Sequence, residues 1–173
     1  GINGFGRIGR AFFRIAHKNP EIQIVAVNDL GDIHNLAYLL QYDTVYRNSG
    51  FSVAVSDDAK AILVDGMRVQ FLQEKDPNLL PWKNLDIDVV VESTGLFTTY
   101  EKSQAHITAG AKKVVISAPA KGDVGSAHGE TILMAVNEEK FGTCDVTSNA
   151  SCTTNAASPL IAILDEELGI EKA

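Results

Sequence analysis

Three glycines near the start of the chain, Gly4, Gly6 and Gly9, lie between the end of a predicted strand and a predicted helix. Apolar residues recur after them at three- and four-residue spacing, which is typical of an amphipathic helix. The residues on this predicted apolar face are Ile8, Ala11, Phe12, Ile15 and Ala16. A β-branched, apolar strand follows at residues 22–27. A strand, a glycine turn, a helix and a second strand together predict a parallel sheet covered by helices.

The rest of the chain continues this alternation. Further strands are predicted at residues 88–92, 113–117, 132–136 and 144–147, and helices at 32–42, 101–109 and 153–168, with a small helix around Glu138. Residues 51–72 predict short strands that include a hairpin at Asp65-Gly66. The predicted fold class is α/β, a Rossmann-type, doubly wound and mostly parallel sheet.

The glycine turn also predicts a nucleotide site. Gly4 permits a tight turn, Gly6 allows a pyrophosphate to approach the backbone, and Gly9 lets the helix pack closely on the strand. Asp29 lies 20 residues after Gly9, as the dinucleotide-binding fingerprint requires. Backbone amides at the helix start, near Arg7 and Ile8, would face the phosphates. The alternative is a plain strand-to-helix turn without a ligand.

Asp29 bears on the choice of cofactor. Its carboxylate would accept hydrogen bonds from the adenosine ribose and would repel the 2′-phosphate of NADP, so NAD is the expected cofactor. The alternative is a solvated acid at the end of a strand. Arg10 and Arg14 recur along the first helix and are predicted to lie on its solvated face.

Cys152 lies at the predicted start of the last helix, in the run Ser-Asn-Ala-Ser-Cys-Thr-Thr-Asn. The thiolate is the nucleophilic form of cysteine, and a helix N-terminus favours negative charge. Ser151 or its neighbours could cap this helix. An inert structural cysteine is the alternative. Nucleophilic catalysis also needs a base, and none of the four histidines (His17, His34, His106 and His128) has a spacing that points to Cys152.

Composition excludes several classes of function. The net charge of −7 argues against a nucleic-acid partner, because such proteins present a basic face. The two cysteines fit neither a disulfide framework nor a zinc site, and no metal site is predicted; this cysteine usage fits the reducing cytoplasm. No apolar run approaches the roughly 18 residues of a membrane span. The chain begins without Met inside a strand, so we expect it to be part of a longer protein.

These motifs together resemble the glyceraldehyde-3-phosphate dehydrogenase family, in order and over essentially the whole chain. The matching segments are residues 3–10, 28–29, 75–77, 81–82, 92–97, 109–114, 116–119 and 148–155. The last of these resembles the active-site signature of the family. Ala156 and Ala157 depart from the family pattern, where a second cysteine and a larger aliphatic residue are frequent.

The resemblance implies an NAD-binding Rossmann domain over residues 1–150, with a truncated first strand, and a catalytic domain whose first helix is residues 151–173. Cys152 would form a thioester with glyceraldehyde 3-phosphate, and inorganic phosphate, held by Ser151 and Thr153, would release 1,3-bisphosphoglycerate in glycolysis. The family also implies a cytoplasmic homotetramer. Its catalytic histidine would lie beyond Ala173, so these residues alone are expected to bind NAD without turnover.

The resemblance further implies which residues bind NAD. These are Gly4, Phe5, Gly6, Arg7, Ile8, Gly9, Asn28, Asp29, Lys75, Thr94, Gly95, Phe97 and Ser117. Lys75 would lie near the adenine and Ser117 near the nicotinamide, while Leu30 after Asp29 resembles members that use NAD. Two alternatives remain open: an erythrose-4-phosphate dehydrogenase with the same nucleophile, and a non-catalytic, truncated NAD-binding module.

Overall fold

The computed structural model describes residues 1–121 and 129–171. Its strands are β1 (Ile2–Asn3), β2 (Ala26–Asn28), β3 (Tyr42–Asp43), β4 (Arg47–Asn48), β5 (Val53–Val55), β6 (Ala61–Val64), β7 (Met67–Leu72), β8 (Val89–Glu92), β9 (Lys113–Ile116), β10 (Gly129–Thr131) and β11 (Val146–Ser148). The α-helices are α1 (Arg7–Ala16), α2 (Ile33–Gln41), α3 (Tyr100–Thr108) and α4 (Cys152–Leu168), and short 3-10 helices cover Pro77–Leu79 and Glu138–Lys140. The predicted alternation of strands and helices is confirmed.

Within the described residues, nine strands form one sheet in the order β10-β11-β9-β8-β1-β2-β7-β6-β5. All neighbouring pairs from β10 to β7 are parallel, and the β5-β6 and β6-β7 pairs are antiparallel. The chain runs from β1 to β2 on one side and places β8 on the other, so the strand order reverses at β1. This is the doubly wound, Rossmann-type α/β fold, in which a ligand crevice forms at that reversal.

The predicted hairpin at Asp65-Gly66 is confirmed, since it joins β6 to β7. Both residues have positive φ, 48° and 80°, as a two-residue hairpin turn requires. Two apolar clusters flank the sheet. One packs α1 and α2 around Phe13 and Leu40, and the other packs α3 around Trp82 and Val114.

Three strands differ from their predicted bounds. The strand predicted at residues 22–27 is only Ala26–Asn28, the segment that pairs with β7 on one side and with β1 on the other. The strand predicted at 132–136 is replaced by β10 at Gly129–Thr131, and the one predicted at 144–147 is shifted to Val146–Ser148. Ile132 and Leu133 are buried in a loop, so their apolar character serves the core without forming a strand.

The apolar face predicted for α1 is wrong in part. Ala16 is buried and Phe12 packs against the core as predicted, but Ile8 and Ile15 are 56% and 74% exposed. Phe13, which was not placed on that face, is buried. Phe13 contacts Phe5 edge-on, with ring centroids 5.7 Å apart. The helix is therefore rotated about its axis relative to the periodicity, so that Phe13 reaches the core of the sheet.

The same rotation buries two arginines that were predicted to be solvated. Arg10 donates to the carbonyl oxygen of Phe5 at 2.8 Å, and Arg14 donates to the carbonyl of Leu40. Burial lowers the pKa of the Arg10 guanidinium, and nearby Asp43 and Asp29 partly offset this effect. Both arginines thus tie α1 to backbone carbonyls instead of facing water.

No helix in the described part of the chain is long and apolar enough to cross a membrane.

Candidate active site

The carboxyl ends of the parallel strands place the candidate residues along one edge of the sheet. Asn3 is aligned with Asn28 on β2 and with Glu92 on β8, and Ile116 on β9 is aligned with Glu92 and with Ser148 on β11. Loops that follow these positions carry the residues singled out above: Gly4 to Gly9 after β1, Asn28 and Asp29 at β2, Lys75 after β7, Thr94, Gly95 and Phe97 after β8, Ser117 after β9, and Ser151 to Thr153 after β11. Parallel pairing therefore brings the predicted site together.

The glycine turn has the geometry that the fingerprint predicts. Gly4 has a φ of 91°, and a Cβ atom on it would lie 2.6 Å from the backbone nitrogen of Thr94. A Cβ atom on Gly9 would overlap the carbonyl oxygen of Gly4. A Cβ atom on Gly6 would meet nothing within 4 Å, so the backbone there is open to an approaching group.

The N-terminus of α1 is open as well. Gly6 is its N-cap residue and offers no side-chain hydrogen bond, and the first turn contains no acid. Gly6, Arg7 and Ile8 are exposed. The first backbone amides of a helix have no partner within the helix, and they carry partial positive charge. This cradle fits a pyrophosphate.

Asp29 is held against the same turn. Its Oδ2 accepts a hydrogen bond from the backbone N–H of Phe5 at 2.7 Å, and its Oδ1 accepts one from Gly31 at 2.8 Å. A carboxylate oxygen accepts about two hydrogen bonds, so each oxygen retains room for a ribose hydroxyl. The carboxylate is half-buried at the crevice. Asn28, in contrast, is buried, and its side chain bonds to Asn3 and to the backbone of Glu74.

Cys152 is the first residue of α4, as predicted, and it is exposed. Ser151 is the N-cap, and its Oγ accepts a hydrogen bond from the backbone N–H of Thr154 at 3.0 Å. The Ser151 hydroxyl also lies 2.9 Å from the hydroxyl of Thr153. The thiol thus lies at the positive end of a 17-residue helix whose first turn contains no acid.

A buried serine fixes the loop that precedes the thiol. The Oγ of Ser148 accepts a hydrogen bond from the backbone N–H of Ala150 at 3.0 Å and donates one to the carbonyl of Ala118 at 2.7 Å. Ala150 has a φ of 59°, a left-handed conformation that is costly for a residue with a side chain. The Ser148 contact holds this strained turn next to the loop that contains Ser117.

Asn155 clamps the other side of the loop. Its Nδ2 donates to the carbonyl oxygens of Asn149 at 2.7 Å and of Ser151 at 2.9 Å. Asn155 lies within the signature run, but the sequence pattern predicts no role for it. Its signal in the sequence is the spacing, since residue i+4 on a helix can reach back to the carbonyl of its N-cap residue.

The described histidines have other positions and partners. His17 bonds to Asp65 at 3.2 Å, His34 is exposed on α2, and His106 is fully buried. His128 lies outside the described residues. Across residues 1–121 and 129–171, no hydrogen bond joins a histidine to Cys152.

Comparison with known proteins decides the family. Residues 1–100 match the family described as "Glyceraldehyde 3-phosphate dehydrogenase, NAD binding domain". The chain belongs to the glyceraldehyde-3-phosphate dehydrogenase family. This is a family of NAD-dependent oxidoreductases, and the cofactor of the matched domain is NAD. The predicted cofactor and the predicted family are therefore confirmed.

Individual relatives support the same family. The chain is 47% identical to glyceraldehyde-3-phosphate dehydrogenase 1 of Bacillus subtilis over 174 residues, which cover 99% of this chain and 50% of the relative. It is 48% identical to the Geobacillus stearothermophilus enzyme of that name, over 98% of this chain and 49% of the relative. It is 45% identical to the Thermotoga maritima enzyme of that name, over 98% of this chain and 50% of the relative. The chain spans about half the length of these relatives.

The loop after β8 lies at the same edge of the sheet as the glycine turn. The hydroxyl of Thr94 donates to Oε1 of Glu92 and accepts a hydrogen bond from the backbone N–H of Leu96 at 3.1 Å. Gly95 is exposed, with a φ of 76°. Phe97 is half-buried and contacts His106 edge-on, with centroids 6.3 Å apart. These contacts fix the loop and leave Gly95 open to solvent.

A groove of about 590 Å³ lies outside Phe97. It is bounded by Leu96 and Phe97, by Pro77 of the short helix after β7, and by Ala105 on α3. Gln104 also lines it, with a buried Oε1 that has no hydrogen-bond partner. Lys75 is exposed and lies two residues before Pro77, and Ser117, at the opposite end of the crevice, is half-buried.

Sequence reasoning missed the buried groups beneath this site. Asn3 and Glu92 are the last residues of β1 and β8 and are each only 2% exposed, and the ring of His106 packs against Glu92. In the sequence, a polar residue at the end of an otherwise apolar strand could have indicated each of these two buried groups. The partner on α3 gave no such signal, because it lies 14 residues away from Glu92 along the chain.

Proposed function

We propose that the polypeptide carrying this sequence oxidises glyceraldehyde 3-phosphate to 1,3-bisphosphoglycerate with NAD and inorganic phosphate, through a thioester on Cys152. This proposal is supported chiefly by the position of the exposed thiol. It begins a helix at the same sheet edge as the glycine turn of the NAD-binding domain. A nucleophile beside a hydride acceptor is the arrangement that oxidation of an aldehyde needs.

The proposed path of NAD follows the edge of the sheet. The open amides near Arg7 and Ile8 would hold the pyrophosphate, and Asp29 would bind the adenosine ribose. The nicotinamide would then extend toward Ser117 and Cys152. β1 and β11 are three strand spacings apart, or roughly 14 Å at about 4.8 Å per spacing, so an extended cofactor is needed to connect the two places.

Cys152 would begin the reaction as a thiolate. Its sulfur adds to the aldehyde carbon, and the carbonyl oxygen takes up a proton to give a thiohemiacetal. Backbone amides in the first turn of α4 would stabilise the negative charge that develops on this oxygen. Loss of the hydroxyl proton and of a hydride from the same carbon leaves a thioester on Cys152. Bound NAD supplies the acceptor for that hydride.

Inorganic phosphate would complete the turnover. A phosphate oxygen attacks the acyl carbon, the carbon–sulfur bond breaks, and the electron pair returns to sulfur as the Cys152 thiolate. Ser151 and Thr153 would bind the attacking phosphate. The Thr153 hydroxyl is better placed for this role, since the Ser151 hydroxyl already caps α4.

Turnover also needs a base for the thiohemiacetal hydroxyl. Residues 1–121 and 129–171 place no histidine at Cys152, so we expect this base to come from polypeptide outside these described residues. Apolar residues of α4, including Leu160, Ile161 and Leu164, are exposed and would pack against that polypeptide. The division into a cofactor domain over 1–150 and a catalytic segment from 151 remains part of this proposal.

Two groups of exposed side chains bear on compartment and assembly. A free, exposed thiol nucleophile suits a reducing compartment, and we propose the cytoplasm. Exposed aromatic residues on and after α2, namely Tyr38, Tyr42 and Tyr46, would suit a subunit contact in a homotetramer.

The test is NADH formation by the polypeptide that carries this sequence, with and without inorganic phosphate. The proposal predicts multiple turnovers on glyceraldehyde 3-phosphate that require phosphate. A kcat/KM higher for erythrose 4-phosphate would move the assignment to that substrate. NAD binding without oxidation of either aldehyde would support a non-catalytic module instead.

A further inference from the structure

A row of buried polar side chains crosses three strands directly beneath the glycine turn. Asn28, Asn3 and Glu92 end β2, β1 and β8, and they are aligned across the sheet. They are between 2% and 4% exposed. Asn28 donates to Oδ1 of Asn3 at 2.7 Å, and Asn3 donates to Oε2 of Glu92 at 2.6 Å. Residues aligned on neighbouring parallel strands point to the same face of a sheet, which makes this chain of contacts possible.

The row continues into α3. His106 lies 3.0 Å from Oε2 of Glu92 through its Nε2, and Trp82 donates its indole N–H to Nδ1 of His106 at 3.0 Å. An indole N–H can only donate, so Nδ1 must be an acceptor. A neutral His106 therefore carries its proton on Nε2 and donates it to Glu92. Trp82 thus fixes the ring tautomer that Glu92 requires.

Glu92 is the centre of this network. Its Oε2 accepts from Asn3 and His106, and its Oε1 accepts from the backbone N–H and the hydroxyl of Thr94. These four donors occupy the acceptor capacity of a carboxylate. Burial of such a group is favourable only when its hydrogen bonds are complete, so its surroundings are tightly specified.

The network ends in three loops that line the NAD crevice. Glu92 holds Thr94 in the loop after β8 at 2.8 Å, and Ser93 of that loop donates to the carbonyl of Gly4 in the glycine turn at 2.7 Å. At the other end, the Asn28 amide makes both a donor and an acceptor bond, each 2.8 Å long, to the backbone of Glu74, next to Lys75. A displacement of the carboxylate would change the spacing of these loops.

We infer that Glu92 is a positioning residue for NAD, held in place by His106. It acts through Thr94 on one side and through Asn3 and Asn28 on the other, and it does not contact the cofactor itself. The inference rests on the proposed path of NAD through these loops. It goes beyond that proposal, because it states that one buried carboxylate, that of Glu92, controls the spacing of the loops that line the crevice.

The decisive variant is Glu92→Gln, which keeps the shape and exchanges one acceptor oxygen for an amino group. In either orientation this amino group faces existing donors, namely Asn3 and His106 on one side or the backbone of Thr94 on the other. We expect the folded variant to bind NAD roughly tenfold more weakly, because the loops would have to return to their original spacing on binding, at a cost of about 1.4 kcal/mol. The exposed Glu21→Gln is the matched control, and it should bind NAD normally.

Two variants of His106 separate positioning from stability. Gln can donate to Glu92 and accept from Trp82, as His106 does, so His106→Gln should retain NAD affinity to within about threefold. Leu can do neither, so His106→Leu should lose roughly as much affinity as Glu92→Gln. Val64→Ala, which is buried on β6 away from the crevice, reports what a loss of stability alone does to binding.

The measurement is the NAD dissociation constant by calorimetry on the polypeptide that carries this sequence, at a temperature where each variant is folded by circular dichroism. Weak binding by Glu92→Gln and His106→Leu, with normal binding by His106→Gln and Val64→Ala, supports the inference. Normal binding by folded Glu92→Gln overturns it, as does an equal loss in Val64→Ala. If Glu92→Gln does not fold, the two His106 variants decide. Failure of the unmodified protein to bind NAD would overturn the cofactor path as well, which is a distinguishable result.

Discussion

Gly9 packs so closely against the carbonyl oxygen of Gly4 that a Cβ atom could not fit between them. This contact joins the first turn of α1 to the end of β1 and fixes the distance between helix and sheet. Gly6, in the same turn, has open space where its side chain would be. The lack of a side chain at Gly9 is therefore required by the packing of the fold. At Gly6 it is required only by the proposed approach of the cofactor.

Gly9→Ala is expected to destabilise the fold. The added methyl must push α1 away from β1, which should lower the free energy of unfolding by about 1–3 kcal/mol. Urea unfolding followed by circular dichroism measures this change. Unaltered stability would show that the contact is less tight than the geometry indicates.

Gly6→Ala is the matched variant and should fold normally. The φ of Gly6 is −69°, which alanine adopts without strain. Its methyl would, however, enter the space proposed for the pyrophosphate, so NAD affinity should fall by about tenfold or more. Calorimetry with NAD provides the measurement, and normal affinity in this variant would argue against the proposed cofactor path.

Cys152→Ser should abolish oxidation of glyceraldehyde 3-phosphate and leave NAD binding nearly intact. A serine hydroxyl at this position is a far weaker nucleophile than a thiolate. NADH formation and the NAD dissociation constant are measured on the same preparation. Cys144→Ser is a suitable control, since Cys144 is buried away from the α4 N-terminus. Substantial turnover by Cys152→Ser would mean that another group is the nucleophile.

Asp29→Ala should narrow the preference for NAD over NADP, because it removes the charge that repels a 2′-phosphate. It should also weaken NAD binding somewhat, since Asp29 holds the backbone of Phe5 and Gly31. Asp29→Asn removes the charge while keeping one acceptor oxygen, and so separates the two effects. The ratio of the two dissociation constants is the measured quantity. An unchanged ratio in both variants would place cofactor selectivity elsewhere.

Asn155→Asp should slow the reactions of Cys152 without affecting NAD binding. The substitution keeps the size of the side chain but removes the N–H groups that hold Asn149 and Ser151. The strained turn at Ala150 would then relax, and the thiol would lose its fixed position. Alkylation of Cys152 by iodoacetamide and the kcat for aldehyde oxidation should both fall several-fold. A normal alkylation rate would show that the clamp is dispensable.

Local patterns were sufficient to predict the order of the elements and the edge of the sheet where the site lies. The glycine turn, the hairpin at Asp65-Gly66 and the helix that begins at Cys152 all depend on residues adjacent in sequence, and all three are confirmed. Such features follow from backbone conformation and capping, which neighbouring residues determine.

Features that depend on distant partners were not predicted. Arg10 and Arg14 resemble surface residues in the sequence, yet carbonyl oxygens of Phe5 and Leu40 accept their hydrogen bonds inside the protein. Leu40 lies 26 residues from Arg14 along the chain. The pairing of Glu92 with His106 is hidden in the same way, since nothing in either local sequence identifies its partner.

The proposed thioester on Cys152 can be detected by mass spectrometry. The polypeptide that carries this sequence would be mixed with NAD and glyceraldehyde 3-phosphate in the absence of phosphate, quenched in acid, and digested for peptide mapping. We expect one 3-phosphoglyceroyl group per chain, on the peptide that contains Cys152, and its disappearance when inorganic phosphate is added. NADH formation with no acyl group on Cys152 would rule out a thioester intermediate at this residue.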